Sequence, residues 1–107
     1  MKVLVSPHAS ALLSDLITDL SIKLSYSDGI RWEGDIQEAI MALADFPESG
    51  RNIPESCFET VPDNLHQLRQ TFCLPYRIVY EVVENEIHVL SVRHTRMLVT
   101  ETDTSWD

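Results

Sequence analysis

The chain is short of cysteine, of lysine and of long apolar runs. Its 107 residues include only two cysteines, Cys57 and Cys73, and two lysines, Lys2 and Lys23. They form no Cys-x-x-Cys pair, two thiols cannot make a disulfide framework, and reduced thiols in the cytoplasm fit. A zinc site would have to draw Cys57, Cys73 and His66 together with a fourth ligand without closely spaced pairs, so neither metal nor cofactor is expected. No apolar stretch nears the roughly 20 residues that cross a bilayer. Met1–Pro7 has neither the apolar run nor the small-residue cleavage site of a secretion signal, so no membrane association is expected. Seventeen acids against eight lysines and arginines give a net charge of −9. So negative a chain is not a uniformly basic nucleic-acid binder, because it repels phosphate at long range.

The charge is unevenly spread. Residues 1–50 hold three bases and eight acids, whereas residues 51–100 hold five bases and six acids. All five bases of that second half are arginines: Arg51, Arg69, Arg77, Arg93 and Arg96. Arginine presents paired donors suited to carboxylates and phosphates. An acidic chain therefore carries an arginine-bearing half.

Val3-Leu4-Val5 predicts a short strand, and Ser6-Pro7 a helix cap followed by proline at the first helical position. Ala9, Leu12, Leu13, Leu16, Ile17, Leu20 and Leu24 recur at helical spacing. Ser27-Asp28-Gly29 breaks the pattern, with Ser27 or Asp28 as the next cap. A second stripe runs through Trp32, Ile36, Ala39, Ile40, Leu43 and Ala44 until Pro47 stops it, and Gly34 weakens its first turns. Residues 47–64 read as an irregular connection, in which Gly50 permits a positive φ and Arg51 can meet the carbonyl end of the helix. Three β-prone segments follow: Leu65–Leu74, Tyr76–Val83 and Ile87–His94, the last two joined as a hairpin around Glu84-Asn85-Glu86. Residues 101–107 read as a flexible acidic tail beyond one domain at 1–100.

The order is thus β-α-α-β-β-β, an α+β fold. A helical hairpin packs on one face of a C-terminal antiparallel sheet, leaving the other face bare. Alternation puts Ile78, Tyr80 and Val82 on the core side and Arg77 on the opposite side. A two-residue Asn85-Glu86 turn places Arg77 across from His94, and a three-residue loop places it across from Arg93; Arg69 can join either cluster. An arginine beside a histidine is the minimum kit for phosphodiester cleavage, a cation for the developing charge and a proton donor for the leaving oxygen. Arg77 pairing with Glu81 or Glu84, and His94 merely ending a strand, accounts for the same spacing. His8 reads as a first-turn surface residue, His88 as a strand residue of either face, and Tyr76 and Tyr80 as sheet packing. Trp106 falls in the loose tail, where it marks a partner contact or nothing.

Three segments resemble one family in the right order. Leu43-Ala44-Asp45-Phe46-Pro47-Glu48-Ser49-Gly50-Arg51 with Ile53-Pro54-Glu55 is similar to the connection that follows the helices in the RelE/ParE toxin superfamily. Tyr76-Arg77-Ile78-Val79-Tyr80-Glu81-Val82 resembles its central strand, and Val89-Leu90-Ser91-Val92-Arg93-His94-Thr95-Arg96 its last. The resemblance runs to about Met97. It implies the toxin of a bacterial type II toxin-antitoxin (plasmid stabilisation) system, inhibiting growth and neutralised by a cognate antitoxin.

Within that resemblance two branches diverge. RelE-like members are ribosome-dependent endoribonucleases that cut messenger RNA; here that would use Arg77, with His94 or Arg96 in support. Residues 52–76 contain no lysine, however, and the YoeB-like catalytic His and terminal Tyr would fall on Thr95 and Arg96. The Phe-Pro-Glu-Ser-Gly-Arg connection and the His-x-Arg ending resemble the ParE branch, which implies a non-enzymatic inhibitor of DNA gyrase. Arg69, Arg77, Arg93 and Arg96 are then the target-binding candidates, and the groove between helices and sheet would receive an amphipathic antitoxin segment. A family member without toxicity, acting only as an interaction module, is the third reading.

Overall fold

A computed structural model describes residues 1–106. Strand β1 (Lys2–Val5) leads into helix α1 (Pro7–Lys23) through the expected cap. The Ser6 hydroxyl accepts the Ala9 amide at 3.0 Å and donates to the Leu90 carbonyl at 3.3 Å. Helix α2 (Tyr26–Ala42) starts two residues earlier than Ser27-Asp28-Gly29 suggested. Its cap is Ser25, whose hydroxyl accepts the Asp28 amide at 3.1 Å and donates to the Asp28 carboxylate at 2.8 Å. The cap satisfies the Asp28 amide, and Gly29 falls inside the helix. There it is buried against α1, and a Cβ at position 29 would stand 2.0 Å from the Ser21 hydroxyl oxygen. Leu24, read as part of the first stripe, instead closes α1 and is exposed.

Strands β2 (Arg51–Asn52), β3 (Leu68–Cys73), β4 (Tyr76–Val83) and β5 (Glu86–His94) complete a five-stranded sheet in the order β1-β5-β4-β3-β2. β1 runs parallel to β5 and the other neighbours are antiparallel, so the sheet is mixed. The connection after α2 contributes β2 and a 3-10 turn at Glu55–Cys57, and Leu65–Gln67 turns before β3 begins.

The hairpin register differs from both alternatives at the turn. Val83 pairs with Glu86 around Glu84-Asn85, with Glu84 in the left-handed region at φ 56°. A bulge between Val79 and Tyr80 then shifts the pairing so that Arg77 faces Arg93 and Tyr76 faces His94.

The helices cover one face of the sheet. Ala9, Leu13, Ile36, Ile40 and Leu43 pack there on Tyr76, Ile78, Tyr80, Ile87, Val89 and Val92. The opposite face is not bare, which corrects the one-sided expectation. Leu68, Val79 and Leu90 make it apolar, and it is closed by Ile53, Phe58 and Val99 with Cys57, Leu65 and Trp106 packed around them. Phe58 and Val99 form a parallel bridge. Beyond it, Glu101–Thr104 form a 3-10 turn with Asp103 fully buried, so residues 101–106 are not a free tail; Asp107 lies outside the described residues.

Candidate functional site

The four candidate arginines do not form one exposed patch. Arg77 is 7 % exposed on the face away from the helices; its guanidinium donates to the Met97 carbonyl at 3.4 Å and to Cys57 Sγ at 3.8 Å. Its Nε has no partner, and Glu81 and Glu84, the acids proposed from spacing, do not reach it. Arg93, its cross-strand neighbour, donates through Nε to Asp103 at 2.7 Å. Arg69 pairs across from Tyr80 on the helix-side face and donates to the Gly50 carbonyl at 2.9 Å. Arg96 alone of the four is exposed. The display of all four to a macromolecule is therefore corrected: a second apolar cluster on Val79 and Leu90 draws in the segments that cover Arg77 and engage Arg93.

Arg77 and His94 likewise point apart. His94 pairs with Tyr76 and packs edge-to-face on its ring with centroids 5.9 Å apart, on the helix side. Arg77 occupies the next position of β4, which alternation turns to the other face. Cys57 and Cys73 are also divided, Cys57 beside the second cluster and Cys73 against the helix-side one. Both thiols are free, and among the described residues no three His, Cys, Asp or Glu side chains converge as metal ligands.

A groove of about 600 Å³ opens between α1 and the end of β5. Leu12, Leu16 and Leu20 on one side face Tyr76, Val92 and Met97 on the other, with His94 and Arg93 at its wall. The three leucines recur every fourth residue, so one stripe of α1 builds the wall. Asp15 and Asp19 rim it, and Lys23 pairs with Asp19 at 3.0 Å in the open. Burial, then the carboxylate of Asp19, pushes the Tyr76 hydroxyl above its ordinary value, so it stays a neutral phenol. Trp32 braces the same ring edge-on at 5.4 Å. The groove can hold an apolar segment with basic flanks.

The Pro47–Arg51 connection is anchored from below. Tyr80 donates its hydroxyl proton to the Pro47 carbonyl and accepts the Gly50 amide, each at 2.9 Å. Gly50 is needed for close approach and not for a positive φ, which no glycine here adopts. Arg51 pairs with Gln70 in β2 instead of capping α2.

Sequence reasoning missed the most connected polar group. The Asp103 carboxylate accepts from Ser91, Arg93, His8 and both the amide and hydroxyl of Thr100, within 3.1 Å. Burial alone would raise its pKa, but the Thr100 amide and the His8, Arg93 and Ser91 donors together hold it below the usual carboxylate value. His8 is thus an internal partner, not a surface residue, and Trp106 lies against the His88 ring at 4.8 Å. The signal available was Thr100-x-x-Asp103, a capping-box pattern that forms here.

The fold has a known counterpart. A solved structure described as the chromosomal ParDE TA system from P. aeruginosa superposes with a TM-score of 0.69, covering 88% of this chain and 95% of that one at 18% identity. No curated protein matches the chain. The connection motif on Tyr80, the strand order and the helix-covered sheet agree with the match of residues 3–99 to the family model of the ParE toxin of the type II toxin-antitoxin system, parDE, and the chain belongs to that family.

Proposed function

We propose that this toxin acts in the cytoplasm by binding a macromolecular target, DNA gyrase, without cutting nucleic acid, and that a cognate antitoxin neutralises it by filling the groove between α1 and β5. The observation that carries the non-cleaving reading is the separation of Arg77 and His94 on opposite faces of the sheet, with Arg77 buried. Cleavage of a phosphodiester needs a cation and a proton donor against the same phosphate. The groove supports the antitoxin: its apolar floor fits the anchors of an amphipathic segment, and Asp15 and Asp19 favour a basic flank.

Induced alone, the chain should arrest growth and produce gyrase-type DNA damage, while primer extension on translated messages shows no new ends. Co-expression of the antitoxin should restore growth. Rapid message cleavage with intact DNA would overturn this in favour of the ribosome-dependent endoribonuclease. Unimpaired growth at confirmed expression would mark an interaction module without toxicity. A bound antitoxin peptide should slow amide exchange in α1 and in residues 76–96; unchanged exchange there would refute the groove as its seat.

A further inference from the structure

Asp103 sits as a ligand sits. Its side chain is fully buried, and three of its donors stand outside its own turn: His8 Nε2 at 2.7 Å, Ser91 Oγ at 2.8 Å and Arg93 Nε at 2.7 Å. Ser91 and His8 address one carboxylate oxygen and Arg93 the other. The backbones that carry these donors are held independently of Asp103. Ser91 and Arg93 lie within β5, and the first turn of α1 is pinned to that strand by Ser6, whose amide donates to the Val89 carbonyl at 2.9 Å and whose hydroxyl reaches Leu90.

The segment that delivers Asp103 is held loosely by comparison. Among the described residues from Thr100 onward no backbone–backbone hydrogen bond ties the segment to another element; the Asp103 amide donates to the Thr100 carbonyl at 3.0 Å within its own turn. Outside the carboxylate it is fixed by Asn64, which donates to the Thr104 carbonyl at 2.9 Å, and by Trp106 on His88. Arg77 lies directly across from Arg93 and, among the described residues, has no acidic partner of its own.

We propose that His8, Ser91 and Arg93 form a carboxylate-binding site that Asp103 fills from within, and that the strap Thr100–Trp106 lifts so that an acidic side chain of a protein partner takes its place. The strap then controls access to Arg93. An incoming carboxylate meets the same three donors on a fixed backbone, and the strap's own carboxylate competes with it by mass action. The site shares Arg93 with the wall of the α1–β5 groove, while His8 and Ser91 lie outside that groove's lining.

The test uses the full chain with Asp103→Ala, melted in sodium formate and in sodium chloride of equal ionic strength. Formate should raise the Tm of the variant by roughly 5 °C and leave the parent unchanged. The rise should vanish when Arg93→Gln or Ser91→Ala is added. A variant that melts alike in both salts, or a formate effect that survives Arg93→Gln, would overturn the site; equal stabilisation by phosphate would overturn its assignment to carboxylates. Lifting is read on the parent itself: the Asp103 amide should exchange roughly a hundredfold faster than those of Val89 and Val92. Exchange of all three at one common rate would mean that the strap leaves only on global unfolding, and the proposal would fail even if the variant could not be purified.

Discussion

The Gly50 amide meets the Tyr80 hydroxyl at 2.9 Å, and a Cβ at position 50 would stand 2.4 Å from that oxygen. The same glycine has the Gln70 carbonyl 2.7 Å from where a side chain would begin, and backbone cannot step aside. Gly50→Ala should therefore cost about 1–3 kcal/mol by overpacking. Tyr80→Phe should cost a similar ~1–3 kcal/mol for another reason, since it leaves the Gly50 amide and the Pro47 carbonyl without their partner. Denaturant midpoints of the two variants check both values, and an unchanged midpoint for Tyr80→Phe would show the contact to be dispensable.

Asp103→Asn should destabilise by about 1.5–3 kcal/mol, the worth of hydrogen bonds to a charged group. The pH dependence follows from the lowered pKa. An ionised Asp103 stabilises the fold fully above the unfolded value near ~3.9, and that stability is lost as pH falls through the lower folded value. The parent should thus lose stability in acid in a step that the asparagine variant lacks. Acid titrations of both, followed by circular dichroism, make the comparison.

Arg77→Met should leave the fold as stable or raise its stability by about 1 kcal/mol, because a buried guanidinium without a carboxylate is replaced by an apolar chain of similar length. If its charge serves the target, toxicity should fall while Tm does not. A large drop in Tm would show that the Met97 and Cys57 contacts outweigh the desolvation.

The two glycines of α2 should respond in opposite directions. Gly34 has nothing within 4 Å of an added Cβ, so Gly34→Ala should gain about 0.5–1 kcal/mol of helix propensity. At Gly29 the Ser21 Cβ and Cα would lie at 3.1 and 3.3 Å, so Gly29→Ala should lose about 1 kcal/mol or more by overpacking. Thermal melts of the pair decide it.

In the groove, Met97 is 50% exposed and lines the floor. Met97→Glu should leave Tm nearly unchanged yet weaken binding of the cognate antitoxin at least roughly tenfold, by removing an apolar anchor and putting in its place a carboxylate that binding would have to desolvate. Calorimetric titration reads the affinity.

Much of the architecture could be read from the residues because it follows from local rules. The Ser6-Pro7 cap, the two helical stripes and the β4–β5 hairpin each declare themselves within a dozen positions. What stayed hidden depended on contacts distant in sequence. Nothing near Gly29 announces that α1 crosses there, and the bulge between Val79 and Tyr80 has no local mark, yet it decides that Arg77 faces Arg93. The arginines were recognised as special by type, but their exposure was set by what lies above them. Val79 and Leu90 hinted at a second apolar face, whereas the covering strands of chain, around Phe58 and after Val99, look polar and irregular in isolation. Asp103 read as one more acid in an acidic ending because its partners His8 and Ser91 are 95 and 12 residues away.

The second cluster gathers Ile53, Phe58, Leu68, Val79, Leu90 and Val99, residues scattered over nearly half the chain. They hold the covering segments over Arg77 and beside Arg93, so a polar substitution at Phe58 or Val99 should bring both guanidiniums toward solvent together.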